Sequence, residues 1–79
     1  MDFEDINFPV YRRYKNGKTY FKIVNPKLFE EVQLIGNRKI VKQLEARLFP
    51  ERRFVHDMVY NYSAMAEAIS EEEYLSVRE

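Results

Sequence analysis

No cysteine occurs in this chain, so disulfides and thiolate metal sites are excluded outright. Tryptophan is also absent, and His56 is the sole histidine. One imidazole without a thiolate cannot assemble a zinc site of the usual kind. Gly17 and Gly36 are the only glycines, too few and too far apart for a phosphate-cradling loop. No apolar run approaches the roughly 20 residues that a bilayer-spanning helix needs. The opening stretch MDFEDINF is acidic and lacks an apolar core, so it does not read as a secretory signal. These absences lead us to expect a cytoplasmic protein with no membrane association. Internal repeats, heptad arrays and low-complexity stretches are lacking too.

What is present describes one small folded domain. Its 79 residues fit a single unit spanning 1–79, with 1–7 a lead-in prone to fraying from which Phe3 and Ile6 can tuck onto the core. A hydrophobic fraction of 46%, with 15% aromatics, argues against disorder. A chain this short has a limited core, on the order of a few kcal/mol of net stability.

The formal net charge is zero, but it is unevenly spread. Residues 1–5 carry −3, residues 6–28 carry +6 with no acid, residues 29–63 carry +1, and residues 64–79 carry −4. Either the acidic ends fold back on the basic segment, or that segment is kept for an anionic partner. Internal balance is the preferred reading for a near-neutral chain.

The basic segment contains the strongest local signal. In FPVYRRYKNGKTYFKIV, Asn16-Gly17 separates two runs of β-branched and aromatic residues. Both residue types tolerate positive φ, as a two-residue type I′ turn requires. That turn would oppose Tyr14 to Thr19, Arg13 to Tyr20, Arg12 to Phe21, Tyr11 to Lys22 and Val10 to Ile23. Opposed residues share a face. Phe8, Val10, Arg12, Tyr14, Thr19, Phe21 and Ile23 then face the core. Tyr11, Arg13, Lys15, Lys18, Tyr20, Lys22 and Val24 face water.

Beyond the hairpin, Asn25 suits an N-cap and Pro26 a first helical position. Leu28, Phe29, Val32 and Ile35 recur at helical spacing, and Gly36 suits a C′ position. We read a helix over 26–35, with a strand over 29–35 as the alternative. Residues 38–48 fit both a strand and a helix. The strand, over 39–48, is preferred because an isolated hairpin needs a third strand or a covering helix. The stripe Phe54, Val55, Met58, Val59, Tyr62, Met65, Ala66 and Ile69 predicts a helix over 51–68, weakened at Tyr60-Asn61-Tyr62-Ser63. Ser70 and Glu73 form a capping box, and Ile69 with Tyr74 a hydrophobic staple, so a helix is predicted over 71–78. The expected fold is α+β, order β-β-α-β-α-α, with three helices on the apolar face of a three-stranded antiparallel sheet.

Catalytic constellations are not apparent. Asp57 is the immediate neighbour of His56, and adjacent helical residues point about 100° apart, which is wrong for a triad. His56 reads as a helix-surface residue. Glu71-Glu72-Glu73 lacks the alternating ligands and glycine of a calcium loop. We therefore expect no enzyme activity, catalytic residue, cofactor or metal site.

The hairpin face Tyr11, Arg13, Lys15, Lys18, Tyr20 and Lys22 is the candidate partner-binding surface. Its cation–tyrosine pairs can be ordinary sheet surface, worth about 0.5–1 kcal/mol each. They can also form a protein interface, or a platform that stacks bases and contacts phosphates of single-stranded nucleic acid. The expected function is a non-enzymatic interaction module or small accessory protein binding a protein partner, with single-stranded nucleic acid as the alternative. A homodimer through Met58, Tyr62 or Met65 is also open.

Overall fold

In the computed structural model, which describes residues 3–79, a tight reversal joins β1 (Val10–Tyr14) to β2 (Thr19–Asn25). Val10 lies opposite Ile23, Tyr11 opposite Lys22, Arg12 opposite Phe21 and Arg13 opposite Tyr20, which is the expected register. The turn is built differently from a type I′ turn. Gly17 alone takes a positive φ, +74°, and its N–H donates to the Tyr14 carbonyl at 2.8 Å. Asn16 keeps a negative φ and accepts the Lys18 N–H on Oδ1 at 2.8 Å. Lys15 and Lys18 thus belong to a four-residue loop. Register survives because equal numbers of residues leave the β1–β2 ladder on each side, its last pair being Arg13 with Tyr20.

The helix expected over 26–35 is a strand, β3 (Leu28–Ile35). Asn25 caps a turn rather than a helix, its Oδ1 accepting the Lys27 N–H at 2.8 Å. Gly36, at φ +62°, is the first central residue of a two-residue turn into β4 (Arg38–Glu45), the position that type II′ hairpins reserve for glycine. The helical spacing of Leu28, Phe29, Val32 and Ile35 is outweighed by pairing: β3 lies between β2 and β4 and hydrogen-bonds to both. Strand propensity depends on such context more than helix propensity does. The strand expected at 39–48 is present as β4, but it ends at Glu45, so 46–48 are not part of it.

The helix expected over 51–68 stops early. Its first part is α1 (Phe49–Tyr60), and the chain then turns and adds β5 (Ala66–Ala68) to the outer edge of β1. The break falls at the weak helix formers Asn61, Tyr62 and Ser63, where the Met65 and Ala66 N–H groups donate to the Tyr62 carbonyl. The last helix, α2 (Glu71–Arg78), begins as expected. Ser70 Oγ accepts the Glu73 N–H at 3.1 Å. The result is α+β, but with five antiparallel strands in the order β4-β3-β2-β1-β5 and two helices.

Both faces of the sheet are covered. On one, Phe21, Ile23 and Phe29 meet Val55, Met58 and Val59 of α1, with Phe3, Ile6 and Phe8 packed alongside. Met58 is fully buried here and offers nothing to a dimer interface. On the other, Tyr11, Tyr20 and Val32 meet Tyr74 of α2. The expectation that all helices share the apolar face therefore fails: α2 covers the opposite one.

Arg12 projects into the α1 side, as the alternation required, and is 9% exposed. Its Nε donates to the Met58 carbonyl at 2.7 Å, Nη1 donates to the Tyr11 carbonyl at 2.8 Å, and the guanidinium lies 4.0 Å from the Tyr62 ring centre. Burial lowers its pKa below the usual arginine value. The last turn of α1 has no cation of its own, so Arg12 supplies one from β1 at the negative end of that helix. Arg12→Ala should cost about 2–3 kcal/mol in urea denaturation, because buried carbonyls lose a charged donor. Arg12→Lys should recover only part of this, since an ammonium cannot span both carbonyls and the ring.

Candidate functional site

The hairpin face expected to meet solvent is instead covered by α2. Tyr11 and Tyr20 are 9% and 8% exposed, and the Tyr74 ring, 1% exposed, sits 5.3 Å from that of Tyr11. The Tyr11 hydroxyl donates to Glu71 Oε2 at 3.3 Å. Arg13 donates through Nη1 to Glu73 Oε2 at 2.6 Å and pairs through Nη2 with Glu67. The acidic C-terminal segment is thus folded onto the basic hairpin. The physical reason lies in the alternation itself. Two tyrosines and Val32 on one face make an apolar surface that needs a cover, and the acidic first turn of α2 suits the neighbouring cation. Neither tyrosine is available to stack on a partner. Of the six candidate residues, Lys15 and Lys18 are exposed and Lys22 is half-buried opposite Glu30.

Glu30 of β3 anchors the other end of α2. It accepts the Tyr74 hydroxyl at 2.6 Å and Arg78 Nε at 2.9 Å on the same oxygen, Oε1. Burial alone would raise the Glu30 pKa, but the two hydrogen bonds and the Arg78 charge outweigh it, and the net shift is downward. Tyr74 is pushed far above the usual tyrosine value by burial and by that same carboxylate.

A second group of residues was not singled out from the sequence. The tips of the two hairpins lie side by side, since the Leu34 N–H donates to the Lys18 carbonyl at 2.8 Å. Lys15 and Lys18 of one tip therefore share an end of the sheet with Arg38 and Lys39 of the other. From there β4 runs along the edge of the sheet, with every residue from Arg38 to Gln43 exposed. Ile35, Ile40 and Val41 are 51%, 40% and 37% exposed.

Which backbone groups point outwards follows from the turn. Ile35 and Arg38 flank a two-residue loop and form a hydrogen-bonded pair, and such pairs alternate along an antiparallel ladder. Arg38, Ile40, Lys42 and Leu44 therefore bond inwards to β3. Consistent with this, the Ala46 N–H donates to the Lys27 carbonyl at 2.8 Å. Lys39, Val41 and Gln43 direct their N–H and C=O groups away from the sheet. The Lys39 ammonium donates to the Arg78 carbonyl at 3.0 Å, whereas Lys15, Lys18, Arg38 and Lys42 have no ion-pair partner within 4 Å among the described residues. One sequence signal did point here: lysine repeated along a strand is typical of an edge.

His56, on α1, has Nδ1 3.8 Å from Asp57 Oδ1 and packs beside the rings of Phe3 and Tyr60, at 6.2 Å and 5.0 Å. It is half-buried rather than simply on the surface. Among the described residues no group of three or more His, Cys, Asp or Glu could hold a metal ion, and no helix is long and apolar enough to cross a membrane.

Fold and site together define a small α+β protein whose five-stranded antiparallel sheet is covered on both faces and open along one cationic edge. Compared with models of known families, with curated proteins and with solved structures, the chain matches none.

The Glu30 geometry sets a pH dependence. A carboxylate whose pKa is lowered on folding stabilises the protein above its unfolded value, about 4.5, and that contribution is lost as pH falls through the lower folded value. Glu30→Gln should reduce stability at neutral pH and flatten the acid limb of the stability–pH curve, measured by chemical denaturation from neutral pH down to acid.

Proposed function

We propose that the protein is a non-enzymatic interaction module, and that it takes up an extended acidic segment of a partner protein as an added strand along β4. The supporting observation is the edge itself. Lys39, Val41 and Gln43 present unpaired main-chain groups in a row, which is what strand addition uses for affinity. Side chains supply the selectivity. Arg38 and Lys42 stand on one face of the edge with Ile40, and Val41 stands on the other. Lys15 and Lys18 extend the positive field around the sheet end. The pattern favours a segment that alternates acidic and apolar residues.

The same lysines disfavour neutral or basic strands, including much of the self-pairing that an open edge invites. The nucleic-acid alternative keeps only its phosphate-contacting half, because Tyr11 and Tyr20 are covered by α2.

The backbone geometry gives a selective test. Val41→Pro removes an outward N–H, a substitution that edge strands tolerate, whereas Ile40→Pro removes a ladder bond to β3. Val41→Pro should keep the thermal midpoint close to that of the unaltered protein and lose partner capture. Ile40→Pro should lower the midpoint. Hydrogen exchange on the captured complex should show protection at the Lys39, Val41 and Gln43 amides. Equal capture by Val41→Pro, or capture of nucleic acid that falls steeply with salt, would overturn the reading.

A further inference from the structure

A groove of about 650 Å³ lies beside α1 and is lined by no residue of β4. That volume falls within the range of small-molecule sites. Three elements that are distant in sequence form it: the N-terminal segment, the β2–β3 turn and the outer face of α1. Phe3, Pro26 and Phe49 give it apolar walls, and Phe49 is 73% exposed, the most exposed large apolar side chain of the described residues. Elsewhere Phe3 is well supported, stacked on Tyr60 at 5.6 Å and against Phe8 at 5.8 Å, so one aromatic wall is fixed while Phe49 is left exposed.

The polar lining is one-sided in charge. Lys27, Arg52 and Arg53 bring three cations to a single carboxylate, Asp57. Asp57 is already engaged, with Arg53 Nε at 3.9 Å and His56 Nδ1 at 3.8 Å. Lys27 and Arg52 have no side-chain ion pair or hydrogen bond among the described residues, although both line the groove. Two unpaired cations beside aromatic walls complement a ligand with a flat apolar body and an anionic head.

We infer that this groove is a binding site for a small aromatic anion, a carboxylate or phosphate ester, held by Lys27 and Arg52 at its head and by Phe3 and Phe49 along its ring. Arg52 presents a planar fork that matches either headgroup with two parallel hydrogen bonds, and Lys27 adds a point charge. The ring displaces water from Phe49. His56 and Asn61 line the same space and can donate further hydrogen bonds. The site is independent of strand addition at β4 and shares no residue with it.

The test is an amide-resolved NMR titration of the full chain with four probes: naphthoate, naphthyl phosphate, the uncharged naphthylmethanol, and inorganic phosphate alone. Both aryl anions should shift resonances of Lys27, Phe49, Arg52 and His56. The better of the two identifies the headgroup. Naphthylmethanol and inorganic phosphate should each bind about tenfold or more weakly, since each lacks one half of the recognition. Arg52→Glu and Lys27→Glu alter exposed side chains, so the thermal midpoint should hold while aryl-anion affinity falls by a similar factor. The inference is overturned if no groove resonance moves at millimolar aryl anion. It is also overturned if naphthylmethanol binds as tightly as naphthoate, or if both charge-reversed variants bind like the unaltered protein.

Discussion

β2 is the constraint on which the rest of the structure depends, because it is packed on both sides at once. Phe21 and Ile23 are 1% and 0% exposed on the α1 face, and Tyr20 is 8% exposed on the other. A strand that alternates two kinds of bulky residue cannot leave either side in water without exposing a large apolar area. Two covers are therefore required, and the chain supplies two helices of different character. α1 brings Val55, Met58 and Val59 to an aliphatic and phenylalanine layer. α2 brings one large ring, Tyr74, to a tyrosine layer and holds it by charge at its rim.

That arrangement explains which parts of the fold were legible. Local chemistry was: the reversal at Asn16-Gly17, the register it imposes, and the start of α2 at Ser70 each depend on residues a few positions apart. The stretch 28–35 was not, because Leu28, Phe29, Val32 and Ile35 satisfy a helical face as well as a strand buried on both sides. Only the availability of β2 and β4 as neighbours decides between them, and that is a long-range fact. The end of α1 was half legible. Asn61, Tyr62 and Ser63 mark a weak point, but that the following residues join β1 depends on an unpaired strand edge that no local pattern reveals.

The site follows the same division. Sequence alternation sorts side chains into faces and correctly grouped Tyr11, Arg13, Tyr20 and Lys22. It says nothing about which face is covered from elsewhere or which strand lies at the edge of the sheet. A basic, aromatic face reads as a recognition surface only while its cover is unknown. Once Glu67, Glu71 and Glu73 are placed against it, Tyr11 and Tyr20 become the interior of the second layer and Arg13 an ion pair at its rim. The edge position of β4 could be derived only after 28–35 was known to be a strand.

Charge accounts for what remains available. The chain is neutral in sum, yet its acids and bases are not used alike. Glu30, Glu67, Glu71 and Glu73 are all committed to bonds within the fold. Lys15, Lys18, Arg38 and Lys42 stand at the sheet end and edge with no ion-pair partner within 4 Å among the described residues, as do Lys27 and Arg52 beside α1. A zero total thus coexists with two separate positive surfaces, because internal pairing consumes carboxylates faster than cations. Exposed charges interact over about 8 Å at physiological salt, so each surface acts as its own local field rather than as part of a neutral average. Net charge therefore describes this protein poorly, and the pairing state of each carboxylate describes it well.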